Sequence, residues 1–214
     1  MASLGSNSGT PRMADLMAGP NAPLTRAFLF CGWECITVDW LLDDSHDLSH
    51  PARQASLHEQ LQTVHFIAAA LDCSTKSRAR EIPRTFDDGR PAPKPLRSEL
   101  YPLGLPDLEP KDAARVEQDN QACSFVLDEI QSLAERGGSS VRENPWRSLH
   151  WHLDQEKAMW DTGQWRDKRY SACVFGGARA KSQRLRHNLD EIDAWPVLDC
   201  HHTHDPNEWT PYCS

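Results

Sequence analysis

Thr63-Val64-His65-Phe66-Ile67-Ala68-Ala69-Ala70-Leu71, followed by Asp72 and Cys73, decides the fold. A continuous apolar run with no polar alternation is what a strand covered on both faces requires, and such strands belong to parallel sheets. Glu34-Cys35-Ile36-Thr37-Val38-Asp39-Trp40 reads as a second strand, β-branched and apolar, with an acid at its end. Residues 170–175 give a further strand signal, and 139–142 a weaker one. Between them lie a short helix over 52–62, with Leu57 and Leu61 on one face, and the clearest helix of the chain over 112–136. There Val116, Cys123, Val126, Leu127, Ile130 and Leu133 recur near a 3.6-residue spacing, and Gly137-Gly138 supplies the stop. This alternation predicts an α/β class with a Rossmann-like, mostly parallel sheet and flanking helices.

The 214 residues suffice for one sizeable domain, and 39% hydrophobic with 25% charged residues is a composition that buries a core. Residues 1–25, rich in Ser, Gly, Ala and Pro, read as a disordered tail, leaving 26–214 as the domain. No apolar run approaches the ~20 residues a bilayer span needs, and no secretory signal is evident. Seven cysteines without regular spacing favour free thiols in a reducing, intracellular setting, nuclear or cytoplasmic. The proline-rich stretch 81–110 reads as a long loop. The net charge of −8 argues against a free-standing nucleic-acid binder. Charge is uneven, however. Residues 76–97 carry seven bases against three acids, and 166–187 seven against one.

Both basic stretches adjoin strand ends that carry chemistry. These ends are Leu71-Asp72-Cys73-Ser74-Thr75-Lys76-Ser77, Glu143-Asn144-Pro145, and Phe175-Gly176-Gly177-Ala178-Arg179-Ala180-Lys181. Open α/β sheets place ligands outside the carboxyl ends of their strands. The order resembles that of the cytosine-C5 DNA methyltransferases, in which a Pro-Cys-Gln loop precedes Glu-Asn-Val and then Gln-x-Arg-x-Arg. It is also similar to the methyltransferase-like domains of some eukaryotic retroelements. Their pattern is close to Cys-x-x-x-Ser-Arg-Ala-Arg, Pro-Leu-Arg and Glu-Asn-Pro, matched here by residues 73–80, 95–97 and 143–145.

The resemblance implies an S-adenosylmethionine-dependent transfer to DNA. Cys73 would be the nucleophile, Glu143 the partner of the base and Arg179 the partner of its carbonyl or of the backbone. Asp39 would take the ribose, Asp47 the adenine side, and Gly32 the place of the cofactor glycine. Lys76, Arg78, Arg80, Arg97 and Lys181 would meet the nucleic acid. The first three would also favour the thiolate, since a thiol ionises near neutral pH only in cationic surroundings. The family's Gly-rich loop after the first strand has no counterpart around Ala27 to Trp33, so the domain reads as N-terminally truncated, with the first helix lost. Two other readings stand beside this one. The chain fits a catalytically inactive mobile-element remnant that binds nucleic acid or a partner. It also fits a zinc-supported nucleic-acid-binding module, in which Cys200, His202 and His204 alternate on one strand face as weak metal candidates.

Overall fold

The computed structural model describes residues 9–83, 85, 89–175, 181–196, 199–201 and 203. Six strands form one sheet in the order β2-β1-β3-β4-β6-β5. They are β1 Arg12–Leu16, β2 Glu34–Val38, β3 Phe66–Ala70, β4 Ser139–Pro145, β5 Arg166–Ser171 and β6 Ser182–His187. The first four are mutually parallel, and β6 is antiparallel to both β4 and β5. The helices are α1 Pro23–Phe30, α2 Pro51–Leu61, α3 Pro110–Glu135, α4 Asp154–Asp161 and the short α5 Asp190–Asp193. The expected Rossmann-like α/β class is therefore what the chain forms.

Residue alternation along the strands sorts the layers. Ala14, Leu16, Ile67 and Ala69 join Leu57 and Leu61 of α2, Val126, Leu127 and Ile130 of α3 and Met159 of α4 in the main core. The opposite face of β1 and β3 meets α1. Asp15 accepts hydrogen bonds from the Thr25 amide and hydroxyl at 3.1 and 2.8 Å, and Phe28 stacks on Phe66 at 5.4 Å and meets Trp33 edge-on at 5.0 Å. Burial pushes the Asp15 carboxyl up, and the Thr25 bonds draw it back in part.

Three expectations need correction. The boundary at residue 26 is wrong, because β1 begins at Arg12 and lies inside the sheet, between β2 and β3. The first helix is not lost: α1 links β1 to β2, with Pro23 in its first turn, where a missing amide costs nothing. Composition hid this unit, since Met13-Ala14-Asp15-Leu16 is too short to stand out from its Gly- and Pro-rich surroundings. The strand expected at 170–175 lies earlier, at Arg166–Ser171, and Ala172–Phe175 is a 3-10 turn. β5 is an edge strand, so charge rather than apolar character marks it. No helix among the described residues is long and apolar enough to cross a membrane.

Candidate active site

Strand order reverses between β1 and β3, since the chain leaves β1 for β2 on one side and returns to β3 on the other. The crevice outside the carboxyl ends of those strands is where such a sheet takes a ligand. One wall is the β1–α1 loop. Met17 (φ 59°), Gly19 (φ 74°) and Ala22 (φ 36°) all occupy left-handed backbone, unfavourable for the two side-chain-bearing residues. The loop is pinned by bonds from the Met17 and Ala18 amides to the Val38 carbonyl, at 2.7 and 3.2 Å, and from the Gly19 amide to Asp39 at 2.8 Å. Nothing lies within 4 Å of where a Cβ on Gly19 would stand, so a ligand can approach that backbone closely.

Asp39 follows β2 and is buried. One carboxylate oxygen holds Gly19 and the other the Leu41 amide at 2.8 Å, so the acid shapes the crevice as well as facing it. Trp40, Leu41 and Leu42 follow and are exposed. Asp47 caps its own turn through the Ser49 amide at 2.9 Å and pairs with His50 at 3.4 Å. Partial burial would raise its carboxyl, but those bonds outweigh it and hold it low. Gly32 is not a cofactor glycine. Its positive φ of 81° serves the turn between α1 and β2, at the amino end of β2 and the edge of the sheet opposite the crevice.

Beyond β3 and β4 a polar cluster forms. Cys73 is half-buried three residues past β3, and Glu143 pairs in register with Ala70. Asn144, fully buried on the other face, donates to the Leu71 carbonyl at 2.7 Å and so fastens the two strand ends together. Lys181 immediately precedes β6, and its carbonyl accepts from the Ala172 amide at 2.9 Å. Burial pushes the Cys73 thiol up; Lys181 opposes this most, Asp72 and Glu143 add to it, and Lys76 opposes it least. Glu143 is likewise pushed up by burial and drawn back by Lys181. Its Oε1 is buried without a hydrogen-bond partner. Tyr170 of β5, on the same sheet face, has its hydroxyl pushed up by burial and by Glu143.

The expected site is thus brought together in part. Cys73, Glu143 and Lys181 act on one another, whereas Arg179 lies outside the described residues. Two expected nucleic-acid contacts are corrected. Lys76 is completely buried, bonded to Asp119 at 2.5 Å and to the Asp72 carbonyl at 3.2 Å. Arg97 is also buried, donating to Thr75, Asp119, Asn120 and the Pro102 and Val116 carbonyls. Both are internal braces around Asp119, which burial would raise but these cations hold low. Arg80 is half-buried, donating to the Ser74 and Lys94 carbonyls. Arg78 pairs with Glu81 and Glu99 and lines a cavity of about 500 Å³ with Trp146, Trp151, His152 and Arg184.

Sequence reasoning missed the β1–α1 loop and Tyr170. The signal for the loop was Gly19-Pro20 followed by Pro23 at a helix start; Tyr170 carried none. Among the described residues no group of three or more His, Cys, Asp or Glu is arranged to hold a metal, and His202 and His204 lie outside them. No protein-family model and no curated protein matches the chain.

Proposed function

We propose that the chain is an S-adenosylmethionine-dependent methyltransferase-like domain that acts on a DNA cytosine through Cys73. The observation that carries this reading is the meeting of Cys73, Glu143 and Lys181 at the carboxyl ends of β3 and β4, beside a crevice at the strand-order reversal. The residues at that crevice suit a nucleoside. Asp39 has lone pairs left for a diol, Gly19 leaves open backbone, and Trp40 to Leu42 offer exposed apolar surface. When bound there, S-adenosylmethionine would supply an electrophilic methyl group.

The chain's own residues would do the rest. The Cys73 thiolate would add to C6 of the pyrimidine, which makes C5 electron-rich enough to take the methyl group, and would be expelled by elimination as the C5 proton passes to water. Glu143, whose carboxyl burial biases toward the protonated form, would face the base nitrogen and share a proton with it. Lys181 supplies the cation that favours the thiolate, a part expected of Lys76, Arg78 and Arg80. The base must leave the duplex stack to reach this pocket.

A duplex containing 5-fluorocytosine tests the reading, because fluorine at C5 blocks the elimination. With S-adenosylmethionine present, a covalent adduct should map to Cys73 and vanish in Cys73→Ser. An adduct at another cysteine, or none, would sink the mechanism. One observation favours the second reading, an inactive domain that only binds: burial and the neighbouring Asp72 oppose the Cys73 thiolate. Calorimetric binding of S-adenosylmethionine without adduct would select it. The same titration with Asp39→Ala tests the crevice directly, with affinity expected to fall.

A further inference from the structure

The geometry points to a second chemical site on the chain, a redox-active dithiol formed by Cys173 and Cys200. Cys173 sits in the 3-10 turn Ala172–Phe175 that ends β5, and Cys200 lies 27 positions further on. Their thiols share a hydrogen bond. The contact is anchored on the backbone: the Cys200 amide donates to the Ser171 hydroxyl at 3.3 Å. Asp199 faces the Arg169 guanidinium at 4.0 Å. Both cysteines are half-buried, so a small oxidant reaches them, whereas Cys123 is sealed in the core with its thiol pushed up to about 11 by burial.

Two thiols held in contact need only lose their hydrogens to join. In the reaction, one thiolate attacks a small disulfide such as oxidised glutathione, forming a mixed disulfide and releasing one glutathione thiolate. The second thiolate then displaces the other glutathione. The S–S bond of the chain forms, and the two thiol protons and two electrons leave together in two molecules of reduced glutathione. In a reducing compartment such a pair is a sensor rather than a permanent staple.

The position gives the bond a consequence for the site, and here the inference rests on the function proposed above. Cys173 is the neighbour of Ala172, whose amide holds the Lys181 carbonyl at 2.9 Å, and it stands three residues from Tyr170. A disulfide would tie residues 199–201 to the strand end from which Tyr170 and Lys181 reach the Cys73 cluster.

The test is chemical and independent of methyl transfer. The full chain, first reduced, is equilibrated in glutathione buffers of increasing oxidation, alkylated, digested and mapped by mass spectrometry. The Cys173–Cys200 linked peptide should be the first to appear, two hydrogens lighter than its dithiol, while Cys31 is alkylated or glutathionylated. Cys173→Ser and Cys200→Ser should each abolish it and leave the remaining cysteine as a glutathione adduct. Hydrogen exchange at residues 170–175 should slow in the oxidised form and not in either variant. A different first pairing, or both thiols alkylated throughout the series, would overturn the assignment. So would zinc protection of both thiols in a chain that forms no disulfide without zinc. None of these outcomes depends on whether Cys73 attacks cytosine.

Discussion

Arg142 and Glu143 are neighbours on β4, both charged, both largely withdrawn from water, and they face opposite ways. Arg142 points into the helix-covered side, where its Nε and Nη2 grip Glu156 at 2.7 and 2.8 Å and its guanidinium lies 4.3 Å from the Trp165 ring centre. Glu156 also accepts from Arg186 at 2.9 Å and meets His150 at 2.7 Å. Burial would raise the Glu156 carboxyl, but Arg142 and His150 reverse that and hold it well below the usual carboxylate range. Glu143 points the other way and has no ion pair among the described residues. A buried charge with partners is architecture, whereas one without them destabilises the fold and marks a place where chemistry is expected.

The largest expected effect breaks the architectural side. Glu156→Gln leaves the buried Arg142 guanidinium without its counter-ion and strips one of two from Arg186, and should lower stability by about 3–5 kcal/mol, read from the urea midpoint. Lys76→Ala removes one of two cations on Asp119 and should cost roughly 3 kcal/mol by the same measurement. Unfolding midpoints followed against pH sharpen the contrast, because the two acids carry opposite signs. Glu156, held low, contributes stability above the ordinary carboxylate range and loses it as pH falls. Glu143, held high, contributes below that range and loses it as pH rises through its folded value. The gap between the native chain and Glu143→Gln should therefore turn against the native chain on going from acid to neutral. Equal slopes for the two glutamine variants would erase the distinction. The smallest stability effect belongs to Lys181→Ala, within about 0.5 kcal/mol. Its mark should be slower alkylation of Cys73 near pH 8, since the cation that most favours the thiolate is gone.

The architectural side was nearly silent in the sequence. β3 and α3 were legible because apolar run and period leave little choice, and the structure places them at Phe66–Ala70 and Pro110–Glu135. β4 reads Ser-Ser-Val-Arg-Glu-Asn-Pro, which looks like surface until Glu156, eleven residues beyond its end, supplies the partner that lets Arg142 be buried. Lys76 and Arg97 misled for the same reason: a basic residue reads as exposed unless its acid, here Asp119, is known to meet it. β6 was absorbed into a basic stretch, although Arg184 and Arg186 are paired inward with Asp167. On the site side, Cys73 and Glu143 were placed by strand ends and by the order of the motifs they sit in. Lys181 was expected to meet the nucleic acid, and only the fold brings it to the thiol. A charge's role depends on long-range pairing that local sequence does not carry.

The sheet order also dictates a sequence of events. Among the described residues β6 is the last strand to be made, yet it lies inside the sheet, between β4 and β5. β5 is made earlier and, among the described residues, pairs with no strand except β6. While a ribosome is still delivering residues 172–181, the four parallel strands can already associate, but β5 has nothing to hold. Domains assemble as their segments emerge, and unpaired strand edges are exposed meanwhile. The arrival of β6 docks two strands at once and brings Arg184 and Arg186 to Asp167. The C-terminal third of the domain should therefore close as a single late step, not strand by strand.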